Sequence, residues 1–409
     1  MRAKLSLLIL LASAFLAPSI LAQQSSSPLW SYGAEDGVTS VSISGNGSWV
    51  VGGGLETSVW VFRRESGTPT WQWRLGGYSY INSVAISADG SHFLVGCNDG
   101  KVLLYRWAAG QATPVWERLD EGRRVSPYPR AVAISGDGSW CAVGTTNGEV
   151  ILFSKESREP KWIEKCGSQV FSVSISRNGR YVVAATDNGA FVFDNNGRVF
   201  SSPTGFSVAT AISDDGSILA VGNRDGMIRV MRPDGSVVKE FLPALCVWAL
   251  DMSSDGRYIF AAVSGQMGGE SVGKVLKYTL EGEIESLLET KTPMFCVAAS
   301  SDGSRVFAAD DRNTYFFENG RQVWRSNVVK SLYGAIECVD ISDAGDCMVA
   351  CTARSDTEHK VYFFTAEPRA VAGPGLGRTN MILVAVCLVV VILAVILVLR
   401  RRILKEMET

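Results

Sequence analysis

The sequence predicts an all-β, eight-bladed β-propeller, and three observations predict it. A phrase close to Val-Ala-Ile-Ser-x-Asp-Gly-Ser returns eight times. Its anchor serines (Ser44, Ser87, Ser135, Ser176, Ser213, Ser253, Ser300 and Ser342) are spaced by about forty residues, the period of repeat architectures built from one supersecondary unit. The last copy lacks a strand that is found instead at the start of the chain. The copies read VSISGNGS from Val41, VAISADGS from Val84, VAISGDGS from Val132 and VSISRNGR from Val173. They continue as TAISDDGS from Thr210, LDMSSDGR from Leu250, VAASSDGS from Val297 and VDISDAGD from Val339. The count is seven if one degenerate unit fails to form.

Each unit reads as four strands. In the second, Ile81–Ser87 is an inner strand ending in Ala88-Asp89-Gly90, because Asp-Gly accepts the positive φ of a tight hairpin. His92–Cys97 follows, Asn98-Asp99-Gly100 turns the chain, Lys101–Trp107 is a third strand, and Pro114-Val115-Trp116 opens a fourth. Proline there fits an outer edge, where a missing N–H costs least. The eighth unit runs through Lys360–Thr365 and stops, whereas Ser27–Tyr32 repeats the Pro-x-Trp openings at Pro69, Pro114 and Pro160. The N-terminal strand therefore completes the last blade and closes the ring, which removes an exposed sheet edge.

The segments VGCNDGKVLLY (95–105), VGTTNGEVILF (143–153), ATDNGAFVF (185–193) and VGNRDGMIRVM (221–231) resemble the repeat of pyrroloquinoline-quinone-binding proteins. The Ser-x-Asp-Gly anchors resemble those of WD-repeat propellers. Over about residues 28–367 the chain is similar to the broad WD-repeat and quinoprotein-like superfamily. It departs from the strict WD pattern, since no blade ends in Trp-Asp and no Gly-His pair precedes one. The resemblance implies the scaffold rather than the quinone: the adjacent-cysteine pair and metal cluster of quinone-dependent dehydrogenases have no counterpart here, and no cofactor is expected. Propellers host many unrelated activities, so fold alone assigns none.

The ends set the expected topology. Residues 1–22 carry Arg2 and Lys4 before an apolar run, a secretory signal pattern with cleavage after Ala22, or else an uncleaved anchor. A short segment (23–27) leads into the propeller ectodomain (28–367). Residues 368–380, with Gly373-Pro374-Gly375, read as a juxtamembrane linker. Met381–Leu399 holds nineteen residues without a charge, long enough for a transmembrane helix. Arg400-Arg401-Arg402 and Lys405 in the tail (400–409) place it in the cytoplasm. The expected localisation is a single-pass membrane protein with its propeller extracellular or lumenal.

Composition narrows the chemistry. A net charge of −2 without a basic stripe gives no reason to expect nucleic acid. Two histidines exclude a His-rich metal cage, and neither stands beside a Gly-x-Ser-x-Gly elbow. Asp194-Asn195-Asn196-Gly197 and Asp214-Asp215-Gly216 supply too few alternating oxygens for a calcium loop and read as turns. The Pro-x-Trp tryptophans read as inter-blade packing. Nine cysteines are scattered without CxxC pairs. Cys296 and Cys338, each four residues before an anchor serine, are the candidate disulfide pair, the alternative being two buried free thiols.

Three stretches depart from the minimal repeat: Leu119–Arg130, Ser264–Gly273 and Ala353–His359. Alternation of antiparallel strands sends all three to one face, the usual arrangement of a binding surface on a rigid scaffold. The candidate contacts are Arg123, Arg124, Tyr128 and Arg130 from the first, Gln266 and Glu270 from the second, and Asp356, Glu358 and His359 from the third. Tolerated surface insertions are the alternative. The expected function is a membrane-anchored, non-enzymatic interaction platform for a protein or cell-envelope component. A lectin-like or small-ligand receptor is the second reading, and a quinone-dependent or hydrolytic propeller enzyme the third.

Overall fold

Every copy of the repeated phrase forms an inner strand, a tight turn and a second strand, and the eight copies build eight sheets. The computed structural model describes residues 24–368 apart from 78, 120, 121, 123, 126–130, 204, 330–335 and 354–358. The inner strands of blades 1 to 8 are Val38–Ile43, Ile81–Ile86, Val132–Ile134, Val170–Ile175, Ser207–Ile212, Cys246–Met252, Met294–Ala299 and Ile336–Ile341. Each is followed outward by antiparallel neighbours, lettered A to D from the axis. Consecutive A strands pack against one another, and those of blades 8 and 1 meet as well, so the ring is closed. The alternative of seven blades is set aside.

Closure follows the sequence. Trp30–Gly33 pairs antiparallel with Lys360–Thr365 as strand D of blade 8, Trp30 opposite Phe363, and Leu29 N–H donates to Phe363 O at 2.7 Å. Trp30 stacks on Phe363 and reaches Phe62 of blade 1, with ring centroids 5.1 and 5.3 Å away. One pairing was not expected: Gln24–Ser25 adds a parallel fifth strand to blade 7, with Gln24 opposite Trp324.

The tryptophans of the outer strands do pack between blades. Trp71 lies against Phe93 and Tyr105, Trp116 against Phe153 and Trp162 against Phe193, each ring belonging to the next blade. Pro114 is placed differently from expectation. Strand D of blade 2 is Gln111–Leu119, and Pro114 sits inside it at a bulge between Pro114 and Trp116. The two-residue turn Ala109-Gly110, both at positive φ, continues the hairpin without interruption. The bulge then absorbs the residue that cannot donate to the ladder.

The anchor serines explain the repeated phrase. All eight are fully buried. In blade 2, Ser87 Oγ donates to Asp89 Oδ1 at 2.6 Å and accepts from His92 N–H, while Asp89 Oδ1 also accepts from Ser91 N–H. The same three bonds tie Ser213, Asp215, Ser217 and Ile218, so Asp215 holds a turn. In blade 8, where Ala344 replaces the aspartate, Ser342 turns to Asp346 instead. A buried hydroxyl left without these partners costs roughly 1–3 kcal/mol. The glycine that follows is obligatory: Gly179 has φ 70°, and a Cβ there would stand 2.5 Å from Trp140 Cδ1.

Neighbouring turns are also bonded to one another. The N–H groups of Gly45, Asp89, Gly136, Asn178, Asp214, Ser254, Ser301 and Asp343 donate to Ala88, Gly136, Arg177, Asp214, Ser254, Ser301, Asp343 and Gly45 O, at 2.8–3.2 Å. The circle passes through every blade and returns to its start.

Four residues before the anchors, small polar groups join adjacent A strands. Ser40 and Ser83 accept from Val84 and Val132 N–H of the next blades. Cys296 and Cys338 occupy this position in blades 7 and 8. Their thiols point to Glu337 O of blade 8 and Val41 O of blade 1, at 3.3 and 3.5 Å. Both are buried and neither is in a disulfide; each thiol is aimed forward around the ring.

Residues 1–22, 369–380, 381–399 and the tail, with the signal, linker, span and tail expected there, lie outside the described residues. Among the described residues no helix is long and apolar enough to cross a membrane.

The thiol arrangement is testable. Burial pushes the Cys166 and Cys347 thiols up to about 12 and the half-buried Cys246 up to about 11. Native alkylation at pH 8 is expected to leave these unmodified for hours, with Cys246 the first to react. Non-reducing denaturation followed by peptide mapping should recover Cys296 and Cys338 as separate alkylated thiols. A linked peptide pair would contradict the free-thiol geometry.

Candidate interaction face

The two ends of the ring differ. One carries the anchor turns and the C–D turns; the other carries the B–C turns and the connections between blades. At the anchor-turn end the axis is crossed by an ion pair. Arg177 of blade 4 donates to both carboxylate oxygens of Asp343 of blade 8, at 3.0 and 2.6 Å, and Asp214 stands 3.6 Å from the same guanidinium. Blades 4 and 8 are opposite members of an eight-blade ring, so the pair spans the channel. Glycine is needed below it: Cβ atoms on Gly45 and Gly136 would come within 2.4–2.5 Å of the Asp343 carboxylate and the Arg177 side chain. Bonding to Asp343 holds the Arg177 guanidinium charge firmly, whereas burial raises the Asp214 carboxyl above its usual range.

Above that pin runs a central cavity of about 300 Å³ lined by the inner strands. Two carboxylates stand in its wall where other blades carry Ala or Ser. Asp251 accepts from Met252 N–H and from Ala299 N–H of the next blade, at 2.9 and 2.8 Å. Asp340 accepts from Ile341 N–H, and across the seam from Ile43 N–H and Ser42 Oγ of blade 1. Inner strands are sheet edges, and these carboxylates satisfy donors that would otherwise face the channel. Asp340 is partly open to the channel but ringed by protein on all sides. Burial there raises its carboxyl to about 6 against the opposing pull of Ile43 and Ile341 N–H, and the nearby Asp251 charge adds to the rise.

At the other end the A strands begin with a repeated bulge. Five residues before seven of the eight anchors, a residue stands outside the ladder register: Thr39, Asn82, Phe171, Val208, Trp248, Phe295 and Glu337. A bulge re-aims its extra side chain. On blades 1 and 2 these side chains are polar and turn inward, Thr39 Oγ1 to Ile81 O at 2.7 Å and Asn82 Nδ2 to Val125 O at 2.8 Å. On blades 4, 6 and 7 they are aromatic and, with Phe206 of blade 5, form an arc. Phe171 lies 5.0 Å from Phe206, and Trp248 meets Phe295 edge-on at 5.4 Å. Between the two pairs lies Arg224, its guanidinium 4.4 Å from the Phe206 ring and 5.4 Å from Trp248. Trp248 keeps 37% of its surface exposed, and Leu242 and Met267 beside the arc keep 76% and 52%. This end can take an apolar or aromatic surface; the other presents a pinned, hydrogen-bonded floor.

Four of the residues expected to make contacts, Arg124, Gln266, Glu270 and His359, are among the described ones. Arg124 is exposed in the blade 2–3 connection, its carbonyl held by Thr146 N–H at 3.0 Å. Gln266 and Glu270 stand on a hairpin that prolongs blade 6, Met267 opposite Glu270, and Glu270 pairs with Lys291 at 2.9 Å. His359 is half-buried, and its carbonyl accepts from Ala34 N–H. Arg123, Tyr128, Arg130, Asp356 and Glu358 lie outside the described residues. The three stretches thus belong to blades 3, 6 and 8, which are not neighbours, and only the blade 6 hairpin adjoins the aromatic arc. Among the described residues no group of three or more His, Cys, Asp or Glu could hold a metal ion.

The arc was missed in the sequence because the side-chain direction at a bulge breaks strand alternation. Its signal was present: one column of the repeat, five before the anchor, carries Phe, Trp or Phe amid small apolar neighbours in blades 4, 6 and 7. Phe206 and Arg224 lie outside that column and carry no comparable signal.

Comparison with known proteins agrees with this architecture. The WD domain, G-beta repeat family matches residues 26–63 and 70–106, the closing strand with blade 1 and then blade 2. Those two segments match the repeat, and the chain as a whole is an eight-bladed propeller. Among solved structures it is similar to Sqt1 of Chaetomium thermophilum bound to the N-terminus of the ribosomal protein L10. The identity is 16% and the TM-score 0.69, over 84% of this chain and all of that one. Two further Sqt1 structures from the same organism match at 14% and 15% identity, with TM-scores of 0.70 and 0.69. Each again covers 84% of this chain, and 100% and 98% of its own. At such identities the likeness is one of fold. No curated protein matches the sequence.

The Asp340 carboxyl gives a pH prediction. Its folded value lies above the ordinary aspartate value, so its contribution to stability is complete below about pH 4 and lost as the pH rises through about 6. Urea unfolding at pH 4.5 and 7.5 should show wild type losing on the order of 1 kcal/mol more over that interval than Asp340→Asn. Equal pH dependence in the two would contradict the assignment.

Proposed function

We propose that this chain is a protein-interaction platform held at a membrane by its C-terminal segment, with the face bearing the connections and B–C turns as its docking surface. The observation that carries the reading is the asymmetry of the ends. The axis is pinned by Arg177 and Asp343 on one side and bordered on the other by a partly exposed aromatic arc with an exposed arginine. Exposed aromatic and arginine side chains are the groups that dominate protein interfaces. That a propeller of the same fold has been crystallised with a segment of another protein supports the reading. Membrane attachment and outward orientation rest on the apolar run at Met381–Leu399 and the basic tail after it. The second reading, a small-ligand receptor, draws support from the cavity of about 300 Å³.

A photo-crosslinking side chain placed singly at Leu242, at Met267, or at Asp234 on the opposite end tests this in native membranes. A discrete protein adduct from Leu242 and Met267 but not from Asp234 is the expected outcome. Adducts from Asp234 alone would move the docking surface to the anchor-turn end. Absence of any protein adduct would favour the small-ligand reading.

A further inference from the structure

Resting on that reading of the mouth face, we propose that Arg224 is its anchoring residue, and that it receives one carboxylate, an aspartate or glutamate side chain, from an otherwise apolar segment of the partner protein. Arg224 lies in the B–C turn of blade 5 and is exposed. Its guanidinium carbon lies over the Phe206 and Trp248 rings, and the group has no hydrogen-bond or ion-pair partner among the described residues. Contact with the rings leaves its five N–H donors, held in a planar fork, for an incoming acceptor. Aromatic contact also excludes water from the faces, so a carboxylate meeting the edge pairs with a pre-positioned, partly desolvated cation.

The surroundings specify the rest of the ligand. The turn of Arg224 backs onto the blade 5–6 connection, where a Cβ on Gly226 would stand 2.8 Å from Leu245 N. That connection meets the blade 6 hairpin, where a Cβ on Gly265 would stand 3.1 Å from Leu245 Cδ2. Three packed loops therefore present Leu242, Trp248 and Met267, all more than a third exposed, beside one cation. Asp225 follows Arg224 directly in the chain, and Lys291 of the adjoining connection is already paired with Glu270. This balance suits a monoanion; a phosphate dianion would meet one guanidinium with a carboxylate next to it. The matching segment carries Asp or Glu flanked by Leu, Met or aromatic residues.

Selection of displayed random dodecapeptides on the full-length chain in detergent tests the assignment. Peptides bound by wild type are expected to share an acidic residue next to apolar ones. Glu→Gln in the peptide and Arg224→Ala in the protein should each weaken binding roughly ten- to a hundredfold. The two losses should not add when combined, and Arg224→Lys should restore only part. The peptide-side change needs no refolding of the protein, so it separates a lost contact from a damaged fold. Peptides insensitive to Arg224→Ala and to Glu→Gln, yet lost on Leu242→Asp with Met267→Asp, would overturn the role of Arg224 and keep the face. A synthetic peptide that binds better with phosphoserine than with glutamate would overturn the carboxylate. No selected peptide, or peptides indifferent to all of these variants, would overturn both.

Discussion

The circle of hydrogen bonds between anchor turns is the constraint on which the rest of the molecule depends. Inner strands are sheet edges, and eight of them around an axis would leave a row of unpaired backbone groups at each level. At the anchor-turn end the problem is solved by donation from each blade to the next, from Gly45 through to Asp343 and back to Gly45. Such a circle needs every turn at the same height with the same backbone geometry. That requirement accounts for the repeated Ser-x-Asp-Gly: the serine fixes the turn to the second strand, the aspartate fixes the turn to itself, and glycine supplies positive φ. Higher in the ring the same need is met by serines, two cysteines and two aspartates, each reaching forward to the next blade.

A ring fixed so completely at one end leaves variation to the other. The floor has no room for bulk, as Gly45 and Gly136 beneath the Arg177–Asp343 pair demonstrate. The bulge at the start of seven of the A strands is free of that restriction, because its extra residue lies outside the ladder. Polar side chains occupy it on blades 1 and 2, and Phe171, Trp248 and Phe295 occupy it on blades 4, 6 and 7. One turn in the scaffold thus specifies the fold, and one column beside the axis is available for recognition.

The fold was legible because its cause is repeated eight times. Each Ser-x-Asp-Gly carries its own hairpin chemistry, and the strand missing from blade 8 could be traced to Trp30 by its Pro-x-Trp context. What escaped was set by geometry that alternation does not encode. The parallel addition of Gln24–Ser25 to blade 7 has no turn signal, and Pro114 marks a bulge and not a strand start because the Ala109-Gly110 turn comes first. The irregular loops were readable as departures from the repeat, and of their described residues the blade 6 hairpin adjoins the arc. The arc beside the blade 6 hairpin was not read: a bulge reverses which residues face the axis, and Arg224 joins Phe206 and Trp248 only once blades 5 and 6 are side by side.

The closed circle is tested most directly by native-state hydrogen exchange at the turn amides of Gly45, Asp89, Gly136, Asn178, Asp214, Ser254, Ser301 and Asp343. If the ring opens only as a unit, the eight are protected to a similar degree, the Asp343–Gly45 seam included, and Trp30–Gly33 exchanges with them. Seam amides exchanging at loop-like rates while the remaining turns stay protected would mean that blades 8 and 1 are joined only loosely, and would contradict the account.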